Sequence, residues 1–221
     1  MASVVDICNQ ALSHIGADAV VSAISPPDGS VEAGHCARFY PIARRAAIEA
    51  HAWNFAKKRL ALSQLATNDS HVWGYAYALP ADVVRPLRIL TSEAVSLAGV
   101  DATSFPFIDN VRLTDALFNE QGSSDFEVEA DTLRTHEPTA VLLYLRDIED
   151  SAKFTSMFTS ALGFMLASYL AGPIIKGTEG AKTAQTLYNI ASQQLARAAA
   201  LDANSSAQTH QTVAPWTRAR R

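Results

Sequence analysis

Apolar residues recur at helical spacing through most of the chain's second half, between Ala152 and Leu201. Gly172-Pro173 divides this stretch and predicts two long helices in succession. The second helix is rich in alanine, which lets a neighbouring backbone approach closely. The pattern therefore predicts tight helix packing and favours assembly over a ligand cavity. The positions that recur on the first helix are Phe154, Met157, Phe158, Ala161, Met165, Ser168 and Tyr169.

A shorter helix is predicted at the amino end of the chain. Ser3 followed by Asp6 provides a cap and an acidic first turn, and the helix runs to Ile15. Gly16 is placed to end it. The loop that follows carries strong turn residues at positions 26–29.

A longer helix follows this loop. Ser30 caps it, and the apolar spacing continues to about Trp53. Pro41 removes one backbone hydrogen bond, so we expect a kink near residues 37–40. The predicted inner face consists of Phe39, Ala43, Ala46, Ala47 and Ala50.

From Arg59 onward the apolar period changes to the two-residue alternation of strands. Pro86 moves one of these strands toward a sheet edge or a bulge. A tight turn at 130–131 precedes Leu133, and residues 91–122 are expected to be mostly irregular, with one short strand at 111–113. The predicted strands lie near 60–62, 75–79, 83–90, 126–128 and 139–146, the last being buried on both faces.

This order of elements predicts an α+β protein. We expect the two N-terminal and two C-terminal helices to form one four-helix body from residues 1–58 and 147–202. Residues 59–146 then form an inserted β-rich domain. Residues 203–221 lack aliphatic periodicity and predict an extended, flexible C-terminal docking tail that is disordered or ordered by a partner.

Composition narrows the functional classes only a little. A chain of 221 residues, 48% of them hydrophobic, is long enough to bury roughly 70% of its unfolded surface. Charged residues make up 18%, against about 25% in typical domains. This indicates either surface covered by copies or partners, or simply an alanine-rich sequence. The net charge of −4 provides no basic footprint for sequence-independent nucleic-acid binding.

Cysteine usage and apolar runs indicate a soluble protein made in the cytosol, with no membrane partner. Cys8 and Cys36 lie on apolar helical stripes and are interpreted as reduced core thiols, with a disulfide or reactive pair as the alternative. The N-terminus lacks a basic segment followed by an apolar run, so no signal peptide is predicted. The apolar run 161–171 is too short for the roughly 18 residues of a membrane span.

No catalytic, cofactor or metal site is predicted. The histidines lack acidic or cysteine neighbours at ligand spacing, and HExxH, GxSxG and glycine-rich phosphate motifs are missing. Adjacent helical side chains such as His35 and Cys36 point about 100° apart, which works against a catalytic pair. The acidic cluster Asp147, Glu149 and Asp150 is explained by a helix N-terminus. The histidines are His14, His35, His51, His71, His136 and His210.

Two basic groups are candidate interaction sites. Arg44, Arg45, Lys57 and Lys58 are candidates for inter-subunit or DNA-channel contacts, and a solvated helix face is the alternative.

The C-terminal tail combines an aromatic residue with three positive charges, and no acidic residue follows Asp202. Tryptophan and arginine are enriched at interface hot spots, which predicts a partner interface. A frayed terminus whose arginines aid solubility is the alternative. Fully extended, residues 203–221 reach roughly 60 Å at about 3.3 Å per residue. The tail residues concerned are Trp216, Arg218, Arg220 and Arg221.

A series of short elements resembles the tail tubular protein A family, the head-to-tail adaptors of short-tailed bacteriophages. The resemblance begins with the helix at Ile7–Gly16 and extends over residues 4–202. The later elements, in order, are Cys36, Tyr40 and Arg44; Trp53-Asn54-Phe55-Ala56 and Arg59; Tyr77-Ala78-Leu79-Pro80-Ala81-Asp82 and Arg85; Tyr144 and Asp150; and Phe154, Phe158, Leu166-Ala167 and Leu170-Ala171.

This resemblance implies a non-enzymatic protein of the virion tail. Such adaptors form dodecameric homo-oligomeric rings beneath the portal protein, extend the DNA channel, and dock the tail nozzle (tubular protein B-like) and sometimes the tail fibres. The helical body would pack subunit against subunit, while the tail would climb onto the portal through Trp216 and the arginines. Double-stranded DNA would pass through transiently. Ring closure requires two different patches per subunit.

Other classes stay open beside this one. A different virion or interaction module built on a helical bundle fits the same pattern. A small hydrolase would need histidine and aspartate side chains that converge in a pocket. A DNA-binding module would lose affinity steeply with salt, and the charge balance argues against it.

Overall fold

Helices lie at both ends of the described chain, with the strands between them. A computed structural model of the protein describes residues 2–90 and 123–205. Within that part, four α-helices and two small antiparallel sheets form a mixed α+β protein, as predicted. The helices are α1 (Val4–His14), α2 (Val31–Glu49), α3 (Ser156–Ile175) and α4 (Gly177–Asn204), and a short 3-10 helix, Ser151–Lys153, precedes α3.

The predicted cap of α1 is confirmed. The Asp6 backbone N–H donates to Ser3 Oγ at 3.1 Å, and the Ser3 N–H donates to Asp6 Oδ2 at 2.8 Å. These reciprocal bonds satisfy two backbone donors that a helix start leaves unpaired. Gly16 has φ +73°, a conformation that suits glycine at a helix end.

Helix α2 also begins at its predicted cap, because Ser30 Oγ accepts from the Ala33 N–H at 3.1 Å. Pro41 lies inside the helix, which continues past it to Glu49. The predicted end near Trp53 is wrong by several residues. The chain turns back there, and Trp53 Nε1 donates to the Ala47 carbonyl at 2.9 Å.

The inner face of α2 differs in part from the prediction. Ala43 and Ala47 are buried, whereas Ala50 is exposed. Tyr40 and Ile48 take the remaining large positions in the core, and Arg44 is buried beside them. Alanine spacing alone did not reveal this because the buried stripe includes a charged residue whose partner lies elsewhere in the chain.

The break between α3 and α4 is not at Gly172-Pro173 as predicted, because both residues belong to α3. The chain reverses instead at Lys176 and Gly177, which have φ values of +63° and +64°. Helix α4 then packs closely along α3. A Cβ atom on Gly180 would lie 3.0 Å from the Ala171 carbonyl oxygen, so glycine permits this approach.

Helix α3 is longer than the apolar run seen in the sequence. Its 20 residues, Ser156–Ile175, meet the length and composition criteria of a membrane span, and 56% of the most apolar window is buried within the protein. Core helices of soluble proteins meet the same criteria. Here α3 packs against α1, α2 and α4, which accounts for its apolar surface.

The strands form two sheets. One has the order β1-β7-β3-β4 and the other β2-β6-β5. Pro86 does not place β3 at the sheet edge as predicted, because β3 lies between β7 and β4. Among the described residues β3 pairs with β4 at Ile89 and Leu90, so the proline stays outside that ladder. The strands are β1 (Lys57–Ala61), β2 (Tyr75–Ala78), β3 (Val83–Leu90), β4 (Ser123–Ser124), β5 (Phe126–Glu129), β6 (Thr132–Thr135) and β7 (Val141–Arg146).

Several strand predictions are confirmed. The register of the smaller sheet pairs Tyr77 with Leu133 and Val128 with Leu133, so three apolar side chains lie side by side. Ala130, at φ +50°, makes the predicted turn between β5 and β6. Strand β7 is buried over five consecutive residues, as the sequence predicted. The short strand predicted at 111–113 lies outside the described residues.

The described residues fall into two compact units. The helical unit contains residues 2–57, 82–85 and 145–204, and the second unit contains the remaining strand residues between 58 and 144. Residues 82–85, which the sequence assigned to the insertion, belong to the helical unit. The Asp147 N–H donates to the Asp82 carbonyl at 2.8 Å, and Arg85 donates to the Glu49 carbonyl at 2.9 Å.

Candidate functional site: a basic residue pair and an uncharged groove

Arg44, a predicted contact residue, lies inside the helical unit. It is 7% exposed, and its guanidinium donates to both carboxylate oxygens of Asp147 at 2.9 and 3.0 Å. Tyr40 lies beneath it, with the guanidinium carbon 5.9 Å from the ring centroid. Burial raises the pKa of the Tyr40 hydroxyl to about 12. The Arg44 charge therefore stabilises the fold of the chain itself.

Arg45 points outward from the same helix. Its side chain is 58% exposed, and its Nε lies 3.1 Å from Asp147 Oδ2. Asp147 thus accepts hydrogen bonds from Arg44 and forms an ion pair with Arg45. The helix-dipole explanation of the acidic cluster is wrong for Asp147, although Asp150 does cap the 3-10 helix through the Ala152 N–H at 3.0 Å. Glu149 lies 3.8 Å from Arg44 and is exposed.

Lys57 and Lys58 are consecutive residues of β1, so their side chains lie on opposite faces of the strand. Lys57 donates to Asn54 Oδ1 at 2.7 Å. The Lys58 ammonium lies 5.7 Å from the Tyr144 ring centroid, within cation–π range. Both side chains are half-buried. Of the four basic candidates, Arg45 therefore has the largely exposed side chain, since Arg44 is buried.

The helical unit has an open groove of about 360 Å³ between α2 and α4, floored by α3. Among the described residues, its lining contains no lysine, arginine, aspartate or glutamate. Tyr188 on α4 is 45% exposed and stands on the groove wall. The lining residues are Ala46, Ala50, His51, Trp53, Met165, Tyr169, Tyr188, Ser192, Leu195, Ala196 and Ala199.

A polar arrangement lies at the end of this groove where α4 finishes. Asp202 is buried, and its Oδ2 accepts from the Asn54 backbone N–H at 2.9 Å. Asn54 Nδ2 donates in turn to the Asp202 carbonyl at 2.8 Å. His51 Nε2 lies 3.6 Å from Asp202 Oδ2. The sequence did not reveal this contact, because the partners are far apart along the chain.

The residues at this end of the groove are of the types found in hydrolase active sites, but they are not arranged as a catalytic triad. A serine nucleophile must lie within hydrogen-bond reach of its base. Ser192 also lines the groove, but its hydroxyl donates to the Tyr188 carbonyl on its own helix at 2.9 Å. The His51 ring packs edge-on against Trp53, with centroids 4.9 Å apart. The arrangement can fix a helix end, and it aligns no nucleophile with a base.

Other described histidines make separate ring contacts. His14 stacks on Phe164 at 4.0 Å between centroids, and His35 lies 6.3 Å from Phe39. His136 packs against Trp73 at 4.9 Å. Over residues 2–90 and 123–205, no group of three or more histidine, cysteine, aspartate or glutamate side chains is arranged to hold a metal ion.

An aromatic cluster behind the groove joins the loop residues Trp53 and Phe55 to Phe154 and Phe158. Trp53 and Phe55 each pack edge-on against Phe158, with centroids 5.0 Å apart. Phe154 adds a third contact at 4.9 Å. The two aromatic residues of the Trp-Asn-Phe sequence were the available signal, since large aromatic side chains are mostly buried on average.

The predicted tail interface, Trp216, Arg218, Arg220 and Arg221, lies outside the described residues. Comparison with known proteins assigns no role to these surfaces. No protein-family model matches the chain, and the search of curated proteins returns no match.

Proposed function

We propose that this protein is a structural head-to-tail adaptor of a tailed phage virion. Copies of the chain form a ring beneath the portal, extend the DNA channel, and dock the tail nozzle and fibres. The ordered motif series from Ile7–Gly16 to Leu170-Ala171 supports this proposal, through its resemblance to the tail tubular protein A family. A dodecameric ring is the stoichiometry that the resemblance implies.

The proposal assigns a role to each part of the chain. The four-helix body packs copy against copy, and the inserted β-rich domain faces the nozzle and fibres. The extended C-terminal tail docks on the portal protein through Trp216 and the arginines at 218, 220 and 221. Double-stranded DNA passes through the ring, which a net charge of −4 permits without a strong grip.

The observation that carries the assembly part of the proposal is the groove. It is uncharged, and three of its walls are helices. Alanine at 46, 196 and 199 lets a neighbouring backbone come close, which suits an α-helix from a second copy. A ring contact is heterologous, so the groove on one copy meets a different surface on the next.

The same groove supports a role without catalysis. Its histidine, His51, lies against Asp202 and Trp53, and the Ser192 hydroxyl donates within its own helix. Arg44 is committed to Asp147 within the subunit. Arg45 remains as the exposed basic residue of α2 in this group, and Lys57 and Lys58 are half-buried. We assign Arg45 to an inter-subunit or channel contact.

Electron microscopy of the protein mixed with its cognate portal tests the proposal. We expect a second ring stacked on the portal ring. Ala196→Arg places a charge in the groove, whereas Gln193→Arg adds the same charge at another exposed position of α4. The groove variant should fail to form the second ring, and the control variant should form it.

The tail is tested by replacing Trp216 with alanine. We expect weaker binding to the portal with an unchanged fold, measured by co-sedimentation. A monomer in isolation is compatible with the proposal, because the portal can act as template. Turnover of a small-molecule substrate, or a portal that stays bare at saturating protein, contradicts it.

A further inference from the structure

Helix α4 ends beside the groove of the helical unit. It forms one wall of the groove and finishes at Asn204. In its last turn, the Asp202 carboxylate accepts from the Asn54 backbone N–H, next to the groove residue Trp53. This contact fixes the end of α4, from which residues 206–221 continue, close to the groove.

The groove offers apolar surface with room for a large side chain. Its volume of about 360 Å³ lies within the roughly 300–1,000 Å³ of typical ligand pockets. Tyr188 on the α4 wall is 45% exposed. Ala50 and Ala196 are exposed on the α2 and α4 walls, and their small side chains leave space between the two helices. An uncharged segment with an aromatic residue therefore suits this surface.

The chain itself contains such a segment at residues 207–216. It has no lysine, arginine, aspartate or glutamate, and it ends in Val-Ala-Pro-Trp. The three arginines of the tail follow Trp216. The uncharged part can thus enter the groove while the charges remain in water, which avoids the cost of burying them. Pro215 restricts the backbone before it to extended conformations, which reduces the entropy lost on binding.

The segment is long enough to run back along α4. Tyr188 lies roughly 24 Å from the helix end at Asn204, at about 1.5 Å per residue. From residue 205 to Trp216 an extended chain spans roughly 36 Å, at about 3.3 Å per residue. A short tether also gives an effective concentration in the range of about 1 mM, which favours a subunit's own tail over that of another copy.

We propose that residues 207–216 bind in the groove of their own subunit, with Trp216 between the alanines of α2 and α4. The bound segment covers the surface that a second copy needs, and it keeps the free subunit monomeric. A portal that binds Trp216 competes with the groove and shifts the subunit toward the open form. This consequence for assembly rests on the proposed function, whereas the binding of the tail in the groove does not.

Cross-linking of introduced cysteines in the full-length protein tests this tail site. Ala196→Cys lies in the groove lining, and Val213→Cys lies in the tail segment. Mild oxidation should join the two within one chain, and peptide mapping under non-reducing conditions identifies the bond. Gln193→Cys, exposed on α4 outside the groove lining, is the matched control. It should give at least about tenfold less cross-link to Val213→Cys, because a disulfide requires closely spaced Cα atoms.

Fluorine NMR provides a second readout that needs no new cysteine. The full-length protein is labelled with 5-fluorotryptophan, and Trp216→Phe identifies the resonance of Trp216. In the otherwise unchanged protein this resonance should differ from its position in urea. Ala196→Arg should move it toward the position in urea, whereas Gln193→Arg should leave it unchanged.

Three results would overturn the proposal. These are equal cross-linking at positions 193 and 196, a cross-link that joins two chains, and a Trp216 resonance that already has its position in urea. The last measurement keeps the test valid if a cysteine variant folds poorly. A portal that stays bare while the cross-link forms within one chain contradicts the adaptor proposal alone.

Discussion

Arg44 on α2 forms a salt bridge with both carboxylate oxygens of Asp147, which lies just after β7. The arginine is 7% exposed, so the pair lies in the interior of the helical unit. Asp147→Ala would leave the buried guanidinium without its main partner. We expect a loss of about 3–5 kcal/mol in the free energy of unfolding, measured by urea denaturation.

Arg45 gives the matched control for this ion pair. It contacts the same carboxylate, but its side chain is 58% exposed and screened by water. Arg45→Ala should therefore cost less than about 1 kcal/mol. Equal losses for Asp147→Ala and Arg45→Ala would show that the buried charge pair does not dominate this region.

Gly180 is required where α4 crosses α3. A methyl group there would lie 3.0 Å from the Ala171 carbonyl oxygen, a backbone atom that cannot turn away. We expect Gly180→Ala to destabilise the protein by about 1–3 kcal/mol. Gly34, inside α2, has no atom within 4 Å of the same added group. Gly34→Ala should instead stabilise by up to about 1 kcal/mol, and thermal unfolding of both variants distinguishes these signs.

Asp202 links the last turn of α4 to Asn54. Asp202→Ala removes the acceptor of the half-buried Asn54 N–H and should cost about 1–3 kcal/mol. Asp202→Asn keeps an acceptor oxygen and should cost less. Hydrogen exchange at the amides of residues 51–56 reports on the site directly. Unchanged exchange in the alanine variant would contradict the assigned role.

His14 predicts a pH dependence of stability. Burial lowers its pKa below the ordinary 6.5, because the imidazolium is disfavoured beside Phe164. The unfolded chain then binds more protons than the folded protein below about pH 6.5, so stability falls as the pH drops through that value. The effect should stay below about 1 kcal/mol, since the ring is only partly buried.

Urea denaturation at about pH 7.5 and about pH 5.5 measures this effect. His14→Phe should reduce the difference between the two pH values, because the group that titrates is removed. The carboxyls of Asp6 and Asp28 have pKa values lowered by hydrogen bonds from serines, so they titrate at more acidic pH and do not interfere. An identical pH difference in the variant would refute the contribution of His14.

Local signals in the sequence predicted the elements well. Caps at Ser3 and Ser30 act within one helical turn, and the alternation in β2 and β5 depends on nearest neighbours. The end of α3 was misplaced because packing tolerates Pro173 within the helix. A proline near a helix end loses few backbone bonds, and the reversal needs the positive φ at Lys176 and Gly177.

Long-range pairings could not be predicted from the sequence. Nothing local associates Arg44 with Asp147, or Asn54 with Asp202, since each pair meets only when the helices at the two chain ends assemble. The groove could not be predicted for the same reason, because its lining combines residues of α2, α3 and α4. Functional sites predicted from runs of charged residues were therefore less reliable than helices and strands predicted from hydrophobic periodicity.

Helix termini usually fray first, but the final turn of α4 is tethered through Asp202 to Asn54, next to the Trp53 aromatic cluster. A mechanical load applied to the chain beyond residue 205 would thus reach this aromatic cluster before it could peel α4 away. Traction on the chain after α4 is therefore borne by the core of the helical unit.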